Sequence, residues 1–370
     1  MNKKKYFIII IGIFISVFIA LGQERIPIEG LAIITGIGYE IEIKGENVIE
    51  YSVPISTNVY KSSGMQVNLL FKEQGQNLGE VIQKRQEKMD KKFVQGQEKV
   101  VLISEDYARY GLKTLIEERF RNPETNDMAY MAVCKGKAED YLNYKVKGYS
   151  NSSEYLGGLI ESSVNYNFFS DDEKLIDAYV RIGAEGRCLV IPYIDITEEG
   201  IEIIGMAIFK EDKMIAVADT KNSKILNLLK NDNVKGVISL QKSPKEYIDF
   251  EAKIGKRKVK CYKQGDKYSF NIDLKLTGTV INNEMYANML KDIKKKKEFE
   301  KDIAKSIENQ CDDFIKIMKS DYKVDCISLG REAAAKYGRQ KIIDWNEVVS
   351  SADIKVNVVV KVDSQGRGDY

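Results

Sequence analysis

The chemistry open to this chain is limited first by a missing residue type, because its 370 residues include no histidine. Imidazole is the base of Ser-His-Asp and Cys-His catalytic groups, the commonest zinc ligand, and the side chain that titrates nearest to neutral pH. Hydrolytic mechanisms that need imidazole are therefore excluded. Glycoside hydrolysis stays open, because it requires only two Asp or Glu carboxylates at a suitable separation.

The cysteines do not have the spacing of a metal-binding or redox motif. The five cysteines are odd in number, and no two are spaced as C-x-x-C, so no disulfide framework is indicated. Three of them lie in strand-like apolar runs and one lies on a helical apolar stripe. We predict that these four behave as small buried hydrophobic residues; they are Cys134, Cys188, Cys261 and Cys311.

The Gly36-Ile37-Gly38 segment resembles the start of a dinucleotide-binding loop. That loop needs a third glycine three positions after the second and a helix directly behind it. Here Ile41 occupies the third position, and a strand-like run follows. We therefore predict that Gly36 and Gly38 permit a bend or close backbone packing.

Two other patterns have structural interpretations that are more common than catalytic ones. Ser320 and Lys323 match S-x-x-K, but the serine of that motif begins a helix, whereas Ser320 is expected to end one. Asp171 and Asp172 could act as paired carboxylates, but they stand where acidic residues favour a helix N-terminus. We predict no catalytic, cofactor-binding or metal-binding residue, and no cofactor.

The charge balance gives no reason to expect a nucleic-acid partner. Lysine and arginine total 57 against 55 for aspartate and glutamate, a formal net charge of +2. The densest basic run, Lys294 to Lys297, opens a strongly charged helical segment and is interpreted as a solvated helix face.

The N-terminus has the pattern of an export signal. Lys3, Lys4 and Lys5 precede an uncharged apolar stretch at 7–22. That length fits either a cleavable signal peptide or a short membrane anchor, so residues 1–23 are assigned to one of the two. Lipoprotein processing would need a cysteine as the first mature residue, but Gln23 occupies that position. No lipidation is therefore expected.

The rest of the chain is predicted to be α+β, with two to three domains of mixed or antiparallel sheet covered by helices. In residues 24–195, strands and helices alternate. In residues 196–370, several strands are separated by turns at Gly255 and at Gly265-Asp266, which predicts an antiparallel meander. A long helix follows, and its apolar stripe recurs at steps of three and four residues: Phe299, Ile303, Ile307, Cys311, Phe314 or Ile315, and Met318. Further helices are expected at 152–169 and 326–338.

The order of short segments along the chain resembles the Ger(x)C family, the C subunits of spore nutrient germinant receptors. No single motif decides this, but their order and spacing together are specific. The segments run from about Leu31 to Gly366: LAIITGIG, GQNLGEVIQKR, KVVLISEDYARYGL, FRNPE, GMAIFKEDKMIA, SLGREAAAKYG, DWNEV and IKVNVVVKVDSQG.

The resemblance implies a non-enzymatic receptor part on the outer face of the spore inner membrane. It would act through contacts with the membrane A and B subunits of the receptor. Two other functions stay open from the residues alone. One is an exported solute-binding protein with a cleft between two domains, and the other is a cell-wall hydrolase that uses two carboxylates.

The chain departs from the family pattern in two places. Family members usually begin the mature chain with Gly-Cys-Trp-Asp and carry a lipid on the cysteine, whereas this chain reads Gly22-Gln23-Glu24-Arg25. Near Met214 the family usually has a Gly-Trp pair that is missing here.

We predict that the chain fractionates with membranes with its N-terminal segment intact and is not labelled by a radioactive fatty acid. The reason is that residues 7–22 can hold it at a membrane while Gln23 offers no thiol. Intact-mass measurement checks the first expectation, and a mature chain starting at Gln23 would contradict it. Lipid label on the chain would contradict the second.

Overall fold

The fold was analysed in a computed structural model that describes residues 3–21, 26–45, 48–170, 174–286, 289, 291–339 and 343–365. The helices in this part are α1 (Lys3–Leu21), α2 (Leu78–Glu87), α3 (Glu105–Tyr110), α4 (Lys113–Arg121), α5 (Ala138–Leu142), α6 (Ser152–Ser163), α7 (Leu175–Ile182), α8 (Thr220–Lys230), α9 (Ile293–Ile317), α10 (Leu329–Tyr337) and α11 (Trp345–Ser351). The strands are β1 (Leu31–Ile43), β2 (Ile49–Ser52), β3 (Ile55–Tyr60), β4 (Gln66–Phe71), β5 (Gln74–Gly75), β6 (Lys92–Val94), β7 (Val100–Ser104), β8 (Tyr130–Cys134), β9 (Val190–Thr197), β10 (Gly200–Lys210), β11 (Lys213–Asp219), β12 (Lys235–Ser243), β13 (Glu246–Gln264), β14 (Lys267–Asn283) and β15 (Asp353–Gln365).

The strands form two sheets. The first sheet has eleven strands, and its main path runs β11-β10-β9-β8-β7-β1-β2-β5, with β3 and β6 also paired to β1 and β4 paired to β3. Its centre is parallel, because β1, β7, β8 and β9 run in one direction, while β10 and β11 are antiparallel additions. The second sheet is β12-β13-β14-β15, antiparallel except for the parallel pair β14 and β15. The predicted α+β class with mixed sheets is confirmed.

Helices cover both faces of the first sheet. The strands at its centre, such as β7 with Val100 to Ile103, are apolar without alternation because both of their faces are buried. One face packs against α5 and α6 through residues such as Leu142 and Leu156. The other face packs against α2, α3, α4 and α7 through residues such as Val81 and Leu115.

Gly36 and Gly38 are the positions at which α5 and α6 approach the first sheet most closely. A Cβ atom at Gly36 would lie 2.2 Å from Ser153 Oγ, and one at Gly38 would lie 2.7 Å from Ala138 Cβ. Only glycine leaves room for the helices at this separation. The prediction that these glycines permit close packing is confirmed.

The second sheet buries one face under α9, α10 and α11. The predicted stripe on α9 is confirmed, because Phe299, Ile303, Ile307 and Cys311 are fully buried and both Phe314 and Ile315 belong to the core. Cys134, Cys188, Cys261 and Cys311 are buried and free, so the prediction that these four behave as packed hydrophobic residues is confirmed. Cys326, for which no such prediction was made, is also buried and free.

Strand β10 connects the two cores. Ala207 and Phe209 point into the core on the α2–α4 side of the first sheet, whereas Met206 and Ile208 join the core of the second sheet beside α8. The boundary predicted between residues 195 and 196 lies within β9, and the first sheet continues past it to Asp219. A division of the chain there into folding units stays a prediction.

Three local predictions were wrong. Gly255 does not form a turn, because β13 continues through it with a register shift between Ile254 and Lys256. The helix expected at 152–169 ends at Ser163. The helix expected at 326–338 begins only at Leu329, since the buried Asp325 carboxylate accepts hydrogen bonds from the backbone of Leu329 and Gly330 and holds the preceding residues outside the helix.

The N-terminal segment is helical over Lys3–Leu21. Several of its apolar side chains are exposed, with Phe7 and Phe14 at 66% and 72%. In the portion of the chain that the structure describes, no helix meets both the length and the apolarity needed to cross a membrane.

We predict that Gly36→Ala lowers the free energy of unfolding by about 1–3 kcal/mol, because the added methyl group must displace Ser153 and α6. The matched control is Gly158→Ala on α6 itself, where a Cβ meets nothing within 4 Å. This control should be neutral or slightly stabilising, since alanine favours a helix. Chemical denaturation of the purified chain measures both, and equal stabilities would contradict the packing role.

Candidate functional site: the junction between the two sheets

The candidate site is the junction where the end of α7 meets α10 and α11, and it begins with two glycines. Gly186 has a φ of +67°, and a Cβ there would lie 2.4 Å from both the backbone N of Arg331 and the backbone C of Gly330. The Arg331 N–H donates to the Gly186 carbonyl at 3.0 Å. Two backbones are thus in direct contact, which only residues without side chains allow.

Trp345 covers this contact from the first turn of α11. A Cβ at Gly330 would lie 2.7 Å from Trp345 Cβ, so the tryptophan rests on the glycine. Its indole N–H donates to Glu185 Oε1 at 2.8 Å, and its ring lies edge-on to Tyr268 at 5.6 Å between centroids. The buried indole therefore has a hydrogen-bond partner 160 positions earlier in the chain, on the opposite side of the junction.

Asp325 fixes the start of α10 beneath the junction. It is 3% exposed and accepts hydrogen bonds from the Leu329 and Gly330 amides at 3.0 and 2.6 Å, while its own N–H donates to Asn346 Oδ1 at 3.0 Å. Burial raises the pKa of the Asp325 carboxyl to about 6, although the backbone amides act in the opposite direction. The carboxyl of Asp325 thus holds the start of α10, while its backbone N–H connects it to the start of α11.

A cavity of about 1050 Å³ opens beside this contact. Its walls are the loop from Gly183 to Arg187, the β10–β11 turn at Lys210 and Glu211, the outer side of α10, and the start of α11. Four cationic and four acidic side chains line it: Arg187, Lys210, Arg331, Arg339, Glu185, Glu211, Asp325 and Asp344.

The charged side chains of the cavity differ in whether they already form hydrogen bonds or ion pairs within the protein. Asp325 is occupied by backbone amides, Glu185 accepts from Trp345, and Asp344 accepts from the Asn346 N–H at 2.8 Å. In contrast, Lys210, Arg331 and Arg339 make no side-chain ion pair within the described residues. The cavity therefore presents cationic groups whose hydrogen-bonding capacity is free.

Ser320, which the sequence singled out as a possible nucleophile, does not line the cavity at this junction. Gln23 and the Asp171-Asp172 pair lie outside the described residues. Ser320 donates its hydroxyl to the Lys316 carbonyl at 2.9 Å and to Asp321 Oδ1 at 2.6 Å, in the helical turn that follows α9. Across the described ranges, no group of three or more Cys, Asp or Glu side chains is arranged to hold a metal ion.

Sequence reasoning did not identify the junction residues. The SLGREAAAKYG and DWNEV segments carried the family resemblance, and they contain Gly330 and Trp345. Neither segment shows that the partner is Glu185-Gly186, because a glycine after an acidic residue is an ordinary helix-end pattern. The glycine at a helix end and the lone tryptophan were the available signals, but nothing in the sequence linked them.

Comparison with known families assigns the chain as a whole. Residues 24–196 match the model described as the spore germination protein N-terminal domain, and residues 204–366 match the one described as spore germination B3/GerAC like, C-terminal. The two matches together cover most of the chain. The chain belongs to the Ger(x)C family of spore germination proteins, as its segment order predicted.

Individual relatives are distant but extensive. The chain is 23% identical to spore germination protein GerQC of Bacillus cereus over 96% of its own length and 98% of that protein. It is 22% identical to the putative spore germination protein YfkR of Bacillus subtilis (strain 168) over 57% of its length and 56% of that protein. The crystal structure of the GerBC protein has a similar fold, with a TM-score of 0.53 and 16% identity, covering 88% of this chain and 97% of that one.

We predict that Gly186→Ala destabilises the chain more than Gly136→Ala by about 1–3 kcal/mol. Both glycines have a positive φ, at +67° and +80°, so both substitutions carry a similar conformational cost. Only at Gly186 does the new methyl group also collide with a second backbone, because nothing lies within 4 Å of a Cβ at Gly136. Thermal and denaturant unfolding compare the two, and equal losses would contradict the close contact.

Proposed function

We propose that this chain is the C subunit of a spore nutrient germinant receptor and acts through contacts with the membrane A and B subunits of that receptor. The observation that carries the proposal is the family match to both halves of the chain, at 24–196 and 204–366. The likeness to GerQC supports it, since it extends over 96% of this chain and 98% of that protein.

A role without catalysis is part of the proposal. The sequence contains no histidine, which removes the common acid–base and nucleophilic groups. The acidic side chains at the junction are engaged in structure: Asp325 binds amides, Asp344 caps α11 and Glu185 binds Trp345. Carboxylates used in this way position helices rather than activate water.

We also propose that residues 1–23 bring the chain to the spore inner membrane and place the rest on its outer face. Lys3 to Lys5 at the start favour a cytoplasmic N-terminus. The helix α1 carries Phe7, Ile10 and Phe14 with more than half of each side chain exposed, which suits contact with lipid. With no cysteine at position 23, this segment takes the place of the lipid anchor that the family resemblance implies.

The junction gives such a subunit one composite surface. The Gly186–Gly330 contact and the Trp345–Glu185 hydrogen bond connect the first sheet to the helices of the second. A partner subunit would therefore bind a surface on which the two sheets have a fixed relative orientation. A displacement that the partner causes in one sheet would also move the other.

We predict that deletion of the gene slows germination triggered by nutrients and leaves germination forced by a non-nutrient route unchanged. The reason is that a receptor part is needed only where a nutrient is sensed. Loss of optical density and release of dipicolinic acid measure both routes, and the reintroduced wild-type gene should restore the first. Equal responses of mutant and parent to a nutrient panel, in a strain without another C subunit, would refute the assignment.

A further inference from the structure

The junction cavity combines free cationic groups with a rigid wall. Arg331 is exposed on the first turn of α10, Arg339 follows the end of the same helix, and Lys210 ends β10 on the facing side. None of these three side chains forms an ion pair in the part of the chain that the structure describes. Together they place two planar guanidinium groups and one ammonium group in the lining of the same cavity.

The acidic side chains of the same wall are less available to a ligand. Asp325 directs its carboxyl at the Leu329 and Gly330 amides and is almost completely buried. Glu185 and Asp344 are held by the Trp345 indole and the Asn346 amide. Glu211 lines the same wall beside Lys210 and makes no side-chain hydrogen bond within the described residues. The other three carboxylates keep their negative charge, but each directs at least one oxygen at a donor within the wall.

The wall that carries Arg331 cannot easily collapse onto the opposite side. The Arg331 backbone N–H is bonded to the Gly186 carbonyl, and Trp345 packs on Gly330. The side chain of Arg331 is therefore displayed from a backbone that is fixed on both sides. A fixed backbone reduces the entropy lost when an arginine closes on a ligand.

We propose that this cavity binds a small anionic molecule that carries carboxylate or phosphate groups, held by Arg331 and Arg339 with Lys210 opposite. Arginine binds both groups through two parallel N–H···O bonds, which gives directional recognition. The volume of about 1050 Å³ lies slightly above the roughly 300–1,000 Å³ usual for small-molecule sites. A site of this size has room for a molecule larger than a single ion.

This inference is independent of the receptor function. Binding is a property of the purified chain, whereas the receptor assignment is tested by germination, so either can fail while the other holds.

The test is isothermal titration calorimetry on the full chain in mild detergent, with citrate as the carboxylate probe and inorganic phosphate as the phosphate probe. Sodium chloride at matched ionic strength provides the baseline. Saturable binding of either probe is expected. Arg331→Gln and Arg339→Gln should each weaken it about tenfold or more, because each removes a charge-assisted hydrogen-bonded pair.

Two control variants distinguish binding at the cavity from nonspecific electrostatic attraction of the anion to the protein. Arg121→Gln removes an exposed arginine that pairs with Glu117 on α4, away from the cavity, and should leave binding unchanged. Glu211→Gln removes the free acid of the wall and should leave binding unchanged or stronger. Equal thermal unfolding of all four variants shows that the fold is retained. The proposal would be overturned if neither citrate nor phosphate released or absorbed more heat than sodium chloride. It would also be overturned if Arg121→Gln weakened binding of the probe as much as Arg331→Gln.

Discussion

The contact between the backbones of Gly186 and Gly330 is the constraint on which the arrangement of the two sheets depends. A Cβ at Gly186 would approach the Arg331 N and the Gly330 carbonyl carbon to 2.4 Å, a separation that packed atoms do not tolerate. Because neither residue has a side chain, α10 can rest directly on the loop behind α7. Trp345 then covers the contact and binds Glu185, and the large cavity is the space left at its edge.

The same region shows how buried charge is accommodated in this protein. Asp325 satisfies its carboxyl with backbone amides at the start of α10, so its charge is offset by the positive end of a helix. Beside the first sheet, Glu98 in the β6–β7 connection and Arg119 on α4 are both buried and pair at 3.0 Å. Glu98 also accepts hydrogen bonds from the backbone N–H groups of Gly96 and Asn126. Removing one partner of such a pair typically costs about 3–5 kcal/mol, because the other charge is left buried.

The fold of this chain resembles that of the GerBC protein although the two sequences differ at most positions. The likeness to GerBC rests on 16% identity, yet it covers 88% of this chain. Central strands such as β7 need only apolar residues of suitable size, and many sequences satisfy that need. Positions at which atoms nearly touch, such as Gly36 against Ser153, accept far fewer alternatives.

The sequence by itself determined the class of fold, the buried stripe of α9, the burial of four of the five cysteines and the membership of a germination family. Each of these depends on local periodicity or on the order of segments, which a single chain displays directly. It failed at Gly255, where a glycine that suggested a turn lies inside a continuous strand, because pairing with β14 outweighed the local preference. Only the tertiary structure decided that Gly186 meets Gly330, that Trp345 binds Glu185, and that Arg331, Arg339 and Lys210 face one cavity. The residues on the two sides of this junction are separated by more than a hundred positions, and their proximity is set by how the helices pack, which no local pattern encodes.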